Sequence, residues 1–292
     1  MKTKQVVQIQ GKPVPISNLD KVLWPEAGIT KADLLDYYAR LYPFLEQHWK
    51  GRALTVTRYP HGVNGDFFYQ KNVPQGAPSW VQVCVIDDVH YIVADDLGTI
   101  IWLANSGVIE FHPSTYLASR PDAPTYAIID LDPTAPQGFK EAVQVAKYAR
   151  ELLEKLGLRG YPKLSGATGL HIYLPLERCY DFQISSELVR QIGLALKEKY
   201  PAQITLERLV KNRRGVYVDY LQNSPGKTIV GVYSPRPTAA ATVSTPVGWS
   251  DLDHYQPEDF TIRTVPQWVA ERGDLFSGVL IPQSLEHLVF SR

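Results

Sequence analysis

Residues 127–133 read Ala127-Ile128-Ile129-Asp130-Leu131-Asp132-Pro133, an apolar run that carries two acids near its end. The apolar residues at 126–131 predict a buried strand, and the proline, which cannot donate to a sheet ladder, marks where that strand leaves the sheet. Side chains two positions apart lie on the same face of a strand, so both carboxylates point the same way. This run therefore predicts a sheet that carries paired acids on one face.

A third acid repeats this context in Val216-Tyr217-Val218-Asp219-Tyr220-Leu221. Charged groups are costly to bury unless they are paired or bound to a metal, so acids in such apolar strands need a partner. Two acids alone more often mark a turn after a strand, and an isolated acid is often a salt-bridge partner. The third acid favours a site in which Asp130, Asp132 and Asp219 hold two Mg²⁺ or Mn²⁺ ions for phosphoryl or nucleotidyl transfer.

The elements predicted around this run mix strands and helices. Thr30 followed by Asp33 predicts the start of a helix at 31–47. Further helices are predicted at 98–105, 139–156 and 184–199. Strands are predicted at 54–58, 67–70, 83–86, 90–93, 107–112, 126–131, 169–174, 216–221 and 228–233, with a hairpin-like turn at 222–226. Because the elements do not alternate strictly, we expect an α+β fold with mixed or antiparallel sheets and flanking helices.

The composition is that of a folded chain without a membrane segment. Its 292 residues are 45% hydrophobic and 21% charged, and no window approaches the roughly 18 apolar residues of a membrane-spanning helix. We expect a single domain, because there is no internal repeat or long linker. We also expect a cytoplasmic location, because the sequence has no predicted membrane segment. Thirty basic and thirty acidic residues cancel, but residues 1–60 carry nine bases against five acids and 205–236 carry six against two. An anionic partner fits if these basic segments share a face.

Small residues form a loop in Lys163-Leu164-Ser165-Gly166-Ala167-Thr168-Gly169-Leu170-His171. Such a loop lets backbone N–H groups approach an anion, and the side chains of Ser165, Thr168 and His171 add donors. A glycine-containing loop alone is usually only a turn. Lys227 and Arg236 would add positive charge around a triphosphate, although a single basic residue is more often a solvated surface charge.

Aromatic and basic residues provide a second set of candidates. Phe67 and Phe68 are adjacent, so on a strand they face opposite ways. An exposed ring beside Lys71 suits base stacking, while core packing of both rings is the alternative. His112 fits a buried structural imidazole as well as it fits a phosphate contact. A mobile loop that reaches DNA is predicted just before the strand at 216, at Arg213 and Arg214.

Taken together, these motifs resemble the polymerase domain of bacterial ligase D, a branch of the archaeo-eukaryotic primase superfamily that acts in non-homologous end joining. The likeness runs from Ile16-Ser17-Asn18-Leu19-Asp20-Lys21-Val22-Leu23-Trp24-Pro25 to Ser244-Thr245-Pro246, with the motifs in the family's order. It implies a single primase-polymerase domain over 1–292 with an RRM-like catalytic core. The expected parts are a DNA-end-binding part at 1–120, the catalytic core at 121–250 and an acidic segment at 251–292.

The resemblance also implies roles for individual residues. Catalysis and metal binding are assigned to Asp130, Asp132 and Asp219. Contacts to the incoming nucleotide are assigned to Ser165, His171, His112 and Arg236. Recognition of the 5′-phosphate of a recessed DNA end is assigned to Lys21 and Lys31, with stacking near the template bases by Phe67 and Phe68. Family members use Mn²⁺ or Mg²⁺ and incorporate ribonucleotides readily, and some extend ends without a template.

The chain departs from the family at three positions. Thr168 stands where members commonly carry Lys, and Gln222 and Thr238 stand where some carry Arg. With fewer positive charges, a phosphate clamp in this chain would either bind nucleotide more weakly or depend more on Arg213, Arg214 and Lys227. No ligase or phosphoesterase sequence accompanies the domain, so we expect Ku and a separate DNA ligase as partners.

These features predict a DNA-dependent nucleotidyltransferase of the polymerase or primase type. We expect it to use ribo- or deoxyribonucleoside triphosphates at 5′-phosphorylated gaps and 3′ overhangs, in association with the nucleoid. One alternative is a catalytically weak module that binds and aligns DNA ends, and the intact acid triplet argues against it. Another is a metal-dependent nuclease or phosphoesterase, and the nucleotide-holding motifs argue against that.

Overall fold

The computed structural model describes residues 4–288. Within this range the chain forms five α-helices and sixteen short strands, which belong to two compact units. The first unit comprises the residues up to 114 together with 228–245 and 258–274. The second comprises 115–227, 246–257 and the residues from 275 onward. Across 4–288, no helix is both long enough and apolar enough to cross a membrane. The division at 120 and 250 within a single domain stays a prediction.

Secondary structure is distributed along the whole described chain. The helices are α1 Lys31–Trp49, α2 Leu97–Asn105, α3 Phe139–Lys155, α4 Phe182–Lys199 and α5 Val265–Arg272. The strands of the first unit are β1 Lys4–Ile9, β2 Lys12–Ser17, β3 Val22–Trp24, β4 Ile29–Thr30, β5 Ala53–Arg58, β6 Phe68–Gln70, β7 Val83–Ile86, β8 Val89–Val93 and β9 Val108–Pro113. The strands of the second unit are β10 Tyr116–Leu117, β11 Arg120–Pro124, β12 Tyr126–Pro133, β13 Tyr161–Leu164, β14 Leu170–Pro175, β15 Ile204–Thr205 and β16 Val216–Val218.

Helix α1 forms the core of the first unit together with β9. Its start is fixed by a capping box, in which the Asp33 carboxylate accepts from the N–H of Thr30 at 2.7 Å and the Thr30 hydroxyl accepts from the N–H of Asp33. The buried rings of Tyr38 and Trp49 lie 5.1 and 5.2 Å from the ring of Phe111 on β9. Strand β9 pairs with β5, whose sheet runs in the order β6-β5-β8-β7. This packing fixes the polar residues that β9 carries.

The second unit is built on a five-stranded sheet in the order β13-β14-β12-β16-β15. Its pairs are antiparallel except for β15 with β16. Helices α3 and α4 both contact β12, and Gly193 of α4 lies close against Val218. Val218 is opposite Leu131 in the ladder, so these two residues share the face that the helices cover. The acids of β12, which alternate with Leu131, therefore project from the other face.

The predicted fold class is confirmed. The four predicted helices all form, each within two residues of its expected bounds. The antiparallel pairing of β7 with β8 around Asp87 and Asp88 also agrees with the sequence pattern. Helix caps and apolar spacing in the sequence were sufficient to predict these helices, because each helix combines a cap with an apolar face.

Two predictions between residues 216 and 233 are wrong. The strand predicted at 216–221 ends at Val218, because the Asp219 carboxylate accepts from the N–H of Leu221 and caps a short 3₁₀ helix at Tyr220–Asn223. The strand predicted at 228–233, with its hairpin turn, does not form. Its residues make scattered backbone bonds, and Tyr233 adopts φ +61°, a left-handed conformation that interrupts a regular ladder.

Candidate functional site

A row of ionisable side chains crosses the sheet of the second unit. On one side of β12, Asp130 is opposite His171 of β14, and His171 is opposite Lys163 of β13. On the other side, the N–H of Asp219 donates to the carbonyl of Asp130 at 2.9 Å, which continues the register with β16. Opposed residues of antiparallel strands share a face, so strand register alone aligns the four side chains. We call these four residues the cross-strand row.

The contacts along the cross-strand row are close and buried. The Lys163 ammonium lies 2.9 Å from Nδ1 of His171, and Nε2 of His171 lies 3.5 Å from Oδ1 of Asp130. Lys163 is fully buried, and His171 and Asp130 are each less than a tenth exposed. An ammonium group has donors and no acceptor, so Nδ1 accepts and the proton of a neutral imidazole lies on Nε2. His171 therefore turns a donor toward the acids.

The acids in this region repel one another. Burial raises the pKa of Asp130 well above its usual range, and the charges of Asp132 and Asp219 raise it further. Burial and then the charge of Asp219 also raise the pKa of Asp132. Among residues 4–288, Oδ1 of Asp130 is buried and accepts no hydrogen bond. Carboxylates that are crowded and desolvated in this way favour either protons or bound cations.

The fit of a divalent cation differs among the three acids. The donors are carboxylate oxygens, which Mg²⁺ and Mn²⁺ prefer, and the buried oxygen of Asp130 is suited to a cation. In Asp219, by contrast, Oδ1 already accepts from the Tyr217 hydroxyl at 3.1 Å and from the N–H of Leu221 at 3.0 Å. Across the described range 4–288, no group of three or more His, Cys, Asp or Glu side chains has the arrangement of a metal site. Metal binding by the trio therefore stays a prediction.

The small-residue loop between β13 and β14 lies against these acids. The Ser165 hydroxyl oxygen accepts from the N–H groups of Ala167 and Gly169, each at 3.1 Å, which folds the loop tightly. A Cβ at Gly169 would come within 2.9 Å of the Leu131 carbonyl and 3.2 Å of a carboxylate oxygen of Asp132. Only glycine permits this approach. Thr168, at the tip of the loop, is exposed.

Basic residues of the second unit differ in how closely they approach the acids. The guanidinium of Arg213 lies 3.7 Å from the ring centre of Tyr217, and its charge lowers the pKa of both Asp130 and Asp132, opposing the effect of burial. Arg214 and Lys227 are exposed. Arg213 therefore acts on the acids electrostatically, a role that the sequence did not predict.

In the first unit, β9 carries a buried polar pair on one face. Glu110 and His112 are two positions apart, and both are less than a tenth exposed. His112 Nε2 lies 3.2 Å from the Thr57 hydroxyl. Glu110 accepts from the Tyr59 hydroxyl at 3.1 Å and forms an ion pair of 3.0 Å with Nε of Arg236. Glu110 thus sets the direction of the Arg236 side chain.

The two lysines assigned to phosphate recognition also have protein partners. The ammonium of Lys31 is buried and donates to the carbonyls of Ser17 at 3.0 Å and Asn105 at 2.7 Å. Burial and the neighbouring charge of Lys21 lower the pKa of Lys31. Lys21 donates to the carbonyl of Pro60. Both ammonium groups are thus held in place by backbone carbonyl groups.

The aromatic candidates are on the surface of the first unit. Phe67, Phe68 and Tyr69 are 55%, 45% and 64% exposed, so core packing of the two phenylalanines is excluded. The ring of Phe67 stacks on that of Tyr59 at 5.4 Å, and the guanidinium of Arg58 lies 5.3 Å from the ring centre of Phe68. Lys71 is exposed nearby in sequence. These exposed rings have the character of a base-stacking surface.

Comparison with known proteins identifies the family. A model of the LigD primase-polymerase domain matches residues 30–276. The chain belongs to this family. It is 36% identical over 277 residues to the bifunctional non-homologous end joining protein LigD of Bacillus subtilis, covering 92% of this chain and 45% of that protein. It is 31% identical to the multifunctional non-homologous end joining DNA repair protein LigD of Mycobacterium tuberculosis, covering 90% and 36%.

A solved structure shows the same fold. The polymerase domain from Mycobacterium tuberculosis Ligase D in complex with DNA matches this chain with a TM-score of 0.85 and 31% identity, over 90% of this chain and 96% of that one. The resemblance to the LigD polymerase domain is thereby confirmed. The family consists of polymerase- and primase-type nucleotidyltransferases of DNA end joining. The chain spans less than half the length of these curated LigD relatives.

Within this LigD-family fold, the predicted residues fall into two groups. Those in the second unit are Asp130, Asp132, Asp219, Ser165, Thr168, His171, Arg213, Arg214 and Lys227. Those in the first are Lys21, Lys31, Phe67, Phe68, Lys71, His112 and Arg236. Their individual roles stay predictions.

Sequence reasoning missed two residues that support the LigD-type motifs. Lys163 was quoted as part of the loop, but its position opposite His171 follows from the hairpin register and could have been read from it. Glu110 lies two positions before His112, and its alternation with Phe111 on a strand was the available signal. Both supply a charge that fixes a neighbouring functional side chain.

Proposed function

We propose that this chain is a DNA-directed nucleotidyltransferase that fills gaps and extends ends at double-strand breaks during non-homologous end joining, with a preference for ribonucleotides. The observation that carries the proposal is the cross-strand row beside Asp132, in a chain of the LigD primase-polymerase family. Crowded acids next to an anion-binding type of loop are suited to charge-rich nucleotidyl transfer.

In the proposed reaction, a primer 3′-hydroxyl attacks the α-phosphate of a nucleoside triphosphate, and pyrophosphate leaves. Asp130, Asp132 and Asp219 would hold two Mn²⁺ or Mg²⁺ ions, which supply positive charge at the reacting phosphates. His171, with Lys163 fixing its tautomer, would donate from Nε2 to a phosphate oxygen. The acids contribute position and charge, and no covalent intermediate forms on the protein.

Other contacts to the substrate are proposed residue by residue. Nucleotide contacts in the second unit would come from Ser165, Thr168, His171 and Lys227. Nucleotide contacts in the first unit would come from His112 and Arg236. DNA contacts would come from Lys21, Lys31, Phe67, Phe68, Lys71, Arg213 and Arg214. The exposure of Phe67, Phe68 and Lys71 supports their part of this proposal.

The proposed partners are those of end joining. The DNA substrates are 5′-phosphorylated gaps and 3′ overhangs, which would bring the protein to the nucleoid. Ku and a DNA ligase would complete the repair. The LigD relatives are named for non-homologous end joining and DNA repair, which supports this assignment.

One assay tests the proposal. The protein is incubated with a labelled, gapped duplex that bears a 5′-phosphate, with MnCl₂ and each nucleoside triphosphate in turn. We expect longer strands, and ribonucleotides should outcompete deoxyribonucleotides. Asp130→Ala combined with Asp132→Ala should reduce extension by about a thousandfold or more and leave DNA binding, measured by fluorescence anisotropy, within about twofold.

The same assay separates the alternatives. Unchanged strands with tight binding would indicate an end-binding module, and shortened strands would indicate a nuclease. Robust extension by the double variant would refute the role of the acids. Glu258→Ala, an exposed acid at the surface of the first unit, provides a matched control that should extend like the wild type.

A further inference from the structure

The backbone immediately before Arg236 adopts an unfavourable conformation. Tyr233 has φ +61°, in the left-handed region that residues with a side chain rarely occupy. Such a conformation persists only where surrounding contacts determine it, and it is often found at functional sites. Tyr233 is fully buried and lies three residues before Arg236. We call residues 231–236 the Arg236 segment.

Three hydrogen bonds hold Tyr233 in this conformation. Its N–H donates to the carbonyl of Ser244 at 2.7 Å, and its carbonyl accepts from the Tyr37 hydroxyl at 2.7 Å. Its own hydroxyl donates to Oδ1 of Asp274 at 2.9 Å. Burial raises the pKa of Tyr233 well above its usual value, as does the charge of Asp274, so the hydroxyl keeps the proton that it donates.

Asp274 is itself fixed from a second direction. It follows Gly273, whose φ of +72° ends α5. Its Oδ2 lies 2.8 Å from Nε2 of His48 and accepts from the Gln47 side chain at 2.6 Å, both on the last turn of α1. The side chains of His48 and Asp274 are less than a tenth exposed. The ends of two helices therefore meet at the carboxylate that holds Tyr233.

The Arg236 segment is also attached to β9. The N–H of Gly231 donates to the carbonyl of Phe111, and the N–H of Phe111 donates to the Ser234 hydroxyl, both at 2.9 Å. A Cβ at Gly231 would come within 2.7 Å of Pro113, so the segment lies directly on the strand. Arg236 then pairs with Glu110 on the same strand. The turn at Tyr233 determines where the segment leaves β9 and hence where Arg236 begins.

We infer that Asp274, acting through the Tyr233 hydroxyl, is a positioning residue for Arg236 and thereby sets the affinity for the nucleotide's phosphates. This inference rests on the proposed function, in which Arg236 contacts the incoming nucleotide. Asp274 does not touch the substrate in this account. Its effect is to keep the left-handed turn populated, so that the guanidinium is in place before the nucleotide binds.

The alternative is that the buried group only stabilises the first unit. Tyr233→Phe separates the two, because it removes one hydroxyl and keeps the ring. We expect the KM for ATP in primer extension to rise about tenfold, which corresponds to the loss of one hydrogen bond to a charged group. The kcat should stay within about twofold. Asp274→Asn should act in the same direction. Tyr180→Phe, which removes a tyrosine hydroxyl bonded to the N–H of Leu285, should leave KM unchanged.

An Arg236→Ala background shows whether the effect passes through Arg236. There, Tyr233→Phe should no longer change KM, because the group that it positions is absent. If the increase persists in that background, or if Tyr233→Phe lowers the melting temperature and leaves KM unchanged, the inference is overturned.

Amide hydrogen exchange tests the positioning step without any catalysis. The N–H of Arg236 donates to the carbonyl of Thr242 at 2.7 Å, and its exchange should speed up at least fivefold in Tyr233→Phe relative to Tyr180→Phe. Unchanged exchange would overturn the inference even in an active polymerase. If the wild type neither binds ATP nor extends primers, the proposed function fails, and the exchange measurement still decides whether Asp274 holds the segment.

Discussion

The two units of this protein differ in the partners that surround their buried charged groups. In the first unit, the buried carboxylate of Glu110 has an arginine and a tyrosine hydroxyl as partners, and the buried ammonium of Lys31 has two carbonyls. In the second unit, Asp130 and Asp132 lie close to a third acid, and burial and repulsion raise the pKa of both. These two buried charges of the first unit therefore have internal partners, while the acids of the second unit concentrate negative charge.

This difference indicates what each unit is able to bind. A surplus of crowded carboxylates is stabilised by cations, so we expect the second unit to gain stability from a positively charged ligand. Arg236 in the first unit already has a counter-ion, so a phosphate bound there as proposed would have to share it with Glu110. Phosphate binding at Arg236 would weaken the ion pair with Glu110, which favours specificity over high affinity.

The largest expected effect concerns the paired carboxylate. Glu110→Gln keeps the shape of the side chain and removes its charge, so it weakens the bonds to Arg236 and Tyr59. We expect a loss of about 2 kcal/mol in the free energy of unfolding. Urea denaturation followed by circular dichroism measures it. Glu46→Gln, in an exposed pair with Lys50, should cost less than about 0.5 kcal/mol.

Substituting the crowded carboxylate of Asp130 should change the stability in the opposite direction. A group with a raised pKa contributes stability below its unfolded pKa, and that stability is lost as the pH rises through the folded pKa. In EDTA at pH 8, well above the unfolded pKa, the raised pKa of Asp130 therefore costs the fold stability, and Asp130→Asn should be more stable than the wild type by about 1 kcal/mol. The gain should shrink toward pH 4. A less stable variant at pH 8 would contradict the account of the acids.

Adding MnCl₂ should reverse the order of stability of the wild type and Asp130→Asn. MnCl₂ should raise the melting temperature of the wild type and have little effect on Asp130→Asn, because the cation stabilises the ionised carboxylates. Equal stabilisation of both proteins would place the cation elsewhere in the chain. Differential scanning fluorimetry at several MnCl₂ concentrations distinguishes these results.

The smallest effect concerns an exposed charge of the first unit. Lys71→Ala should weaken binding to a 5′-phosphorylated DNA end about twofold to threefold at 0.1 M salt, and should reduce the slope of log affinity against log salt by about one. Fluorescence anisotropy across a salt series measures both. Lys140→Ala, an exposed lysine at the start of α3, is the charge-matched control. An equal loss in both variants would mean that only total charge matters.

Much of the fold follows from local sequence, and one region does not. Helix α1 was predictable because the cap at Thr30 and the apolar spacing agree, and β12 because it opens with four apolar residues at 126–129. The segment after Val218 was misread because its apolar residues fit a strand, whereas the Asp219 side chain competes for a backbone N–H and starts a 3₁₀ turn. The conformation of Tyr233 depends on contacts with residues distant in sequence, such as Asp274 and Tyr37.

The candidate site was predictable in its acids and less so in its surroundings. Alternation along a strand places Asp130 and Asp132 on one face without knowledge of the tertiary structure. The pairing of Glu110 with Arg236 and the approach of Arg213 to the acids join residues from separate parts of the chain. No local sequence pattern predicts which distant residues come into contact. These contacts can be assigned only once the register of the strands is known.

The cross-strand row has one more consequence, for tolerance to insertions. Because Asp130 meets His171 on one side and Asp219 on the other, inserting a single residue into β12 before Asp130 would turn the acids toward α3 and α4. Lengthening the loops outside the strands leaves the alignment intact. The cross-strand row therefore depends on an unchanged strand register, so natural variation among such proteins should concentrate in the loops. Engineers should lengthen those loops and leave β12 unchanged.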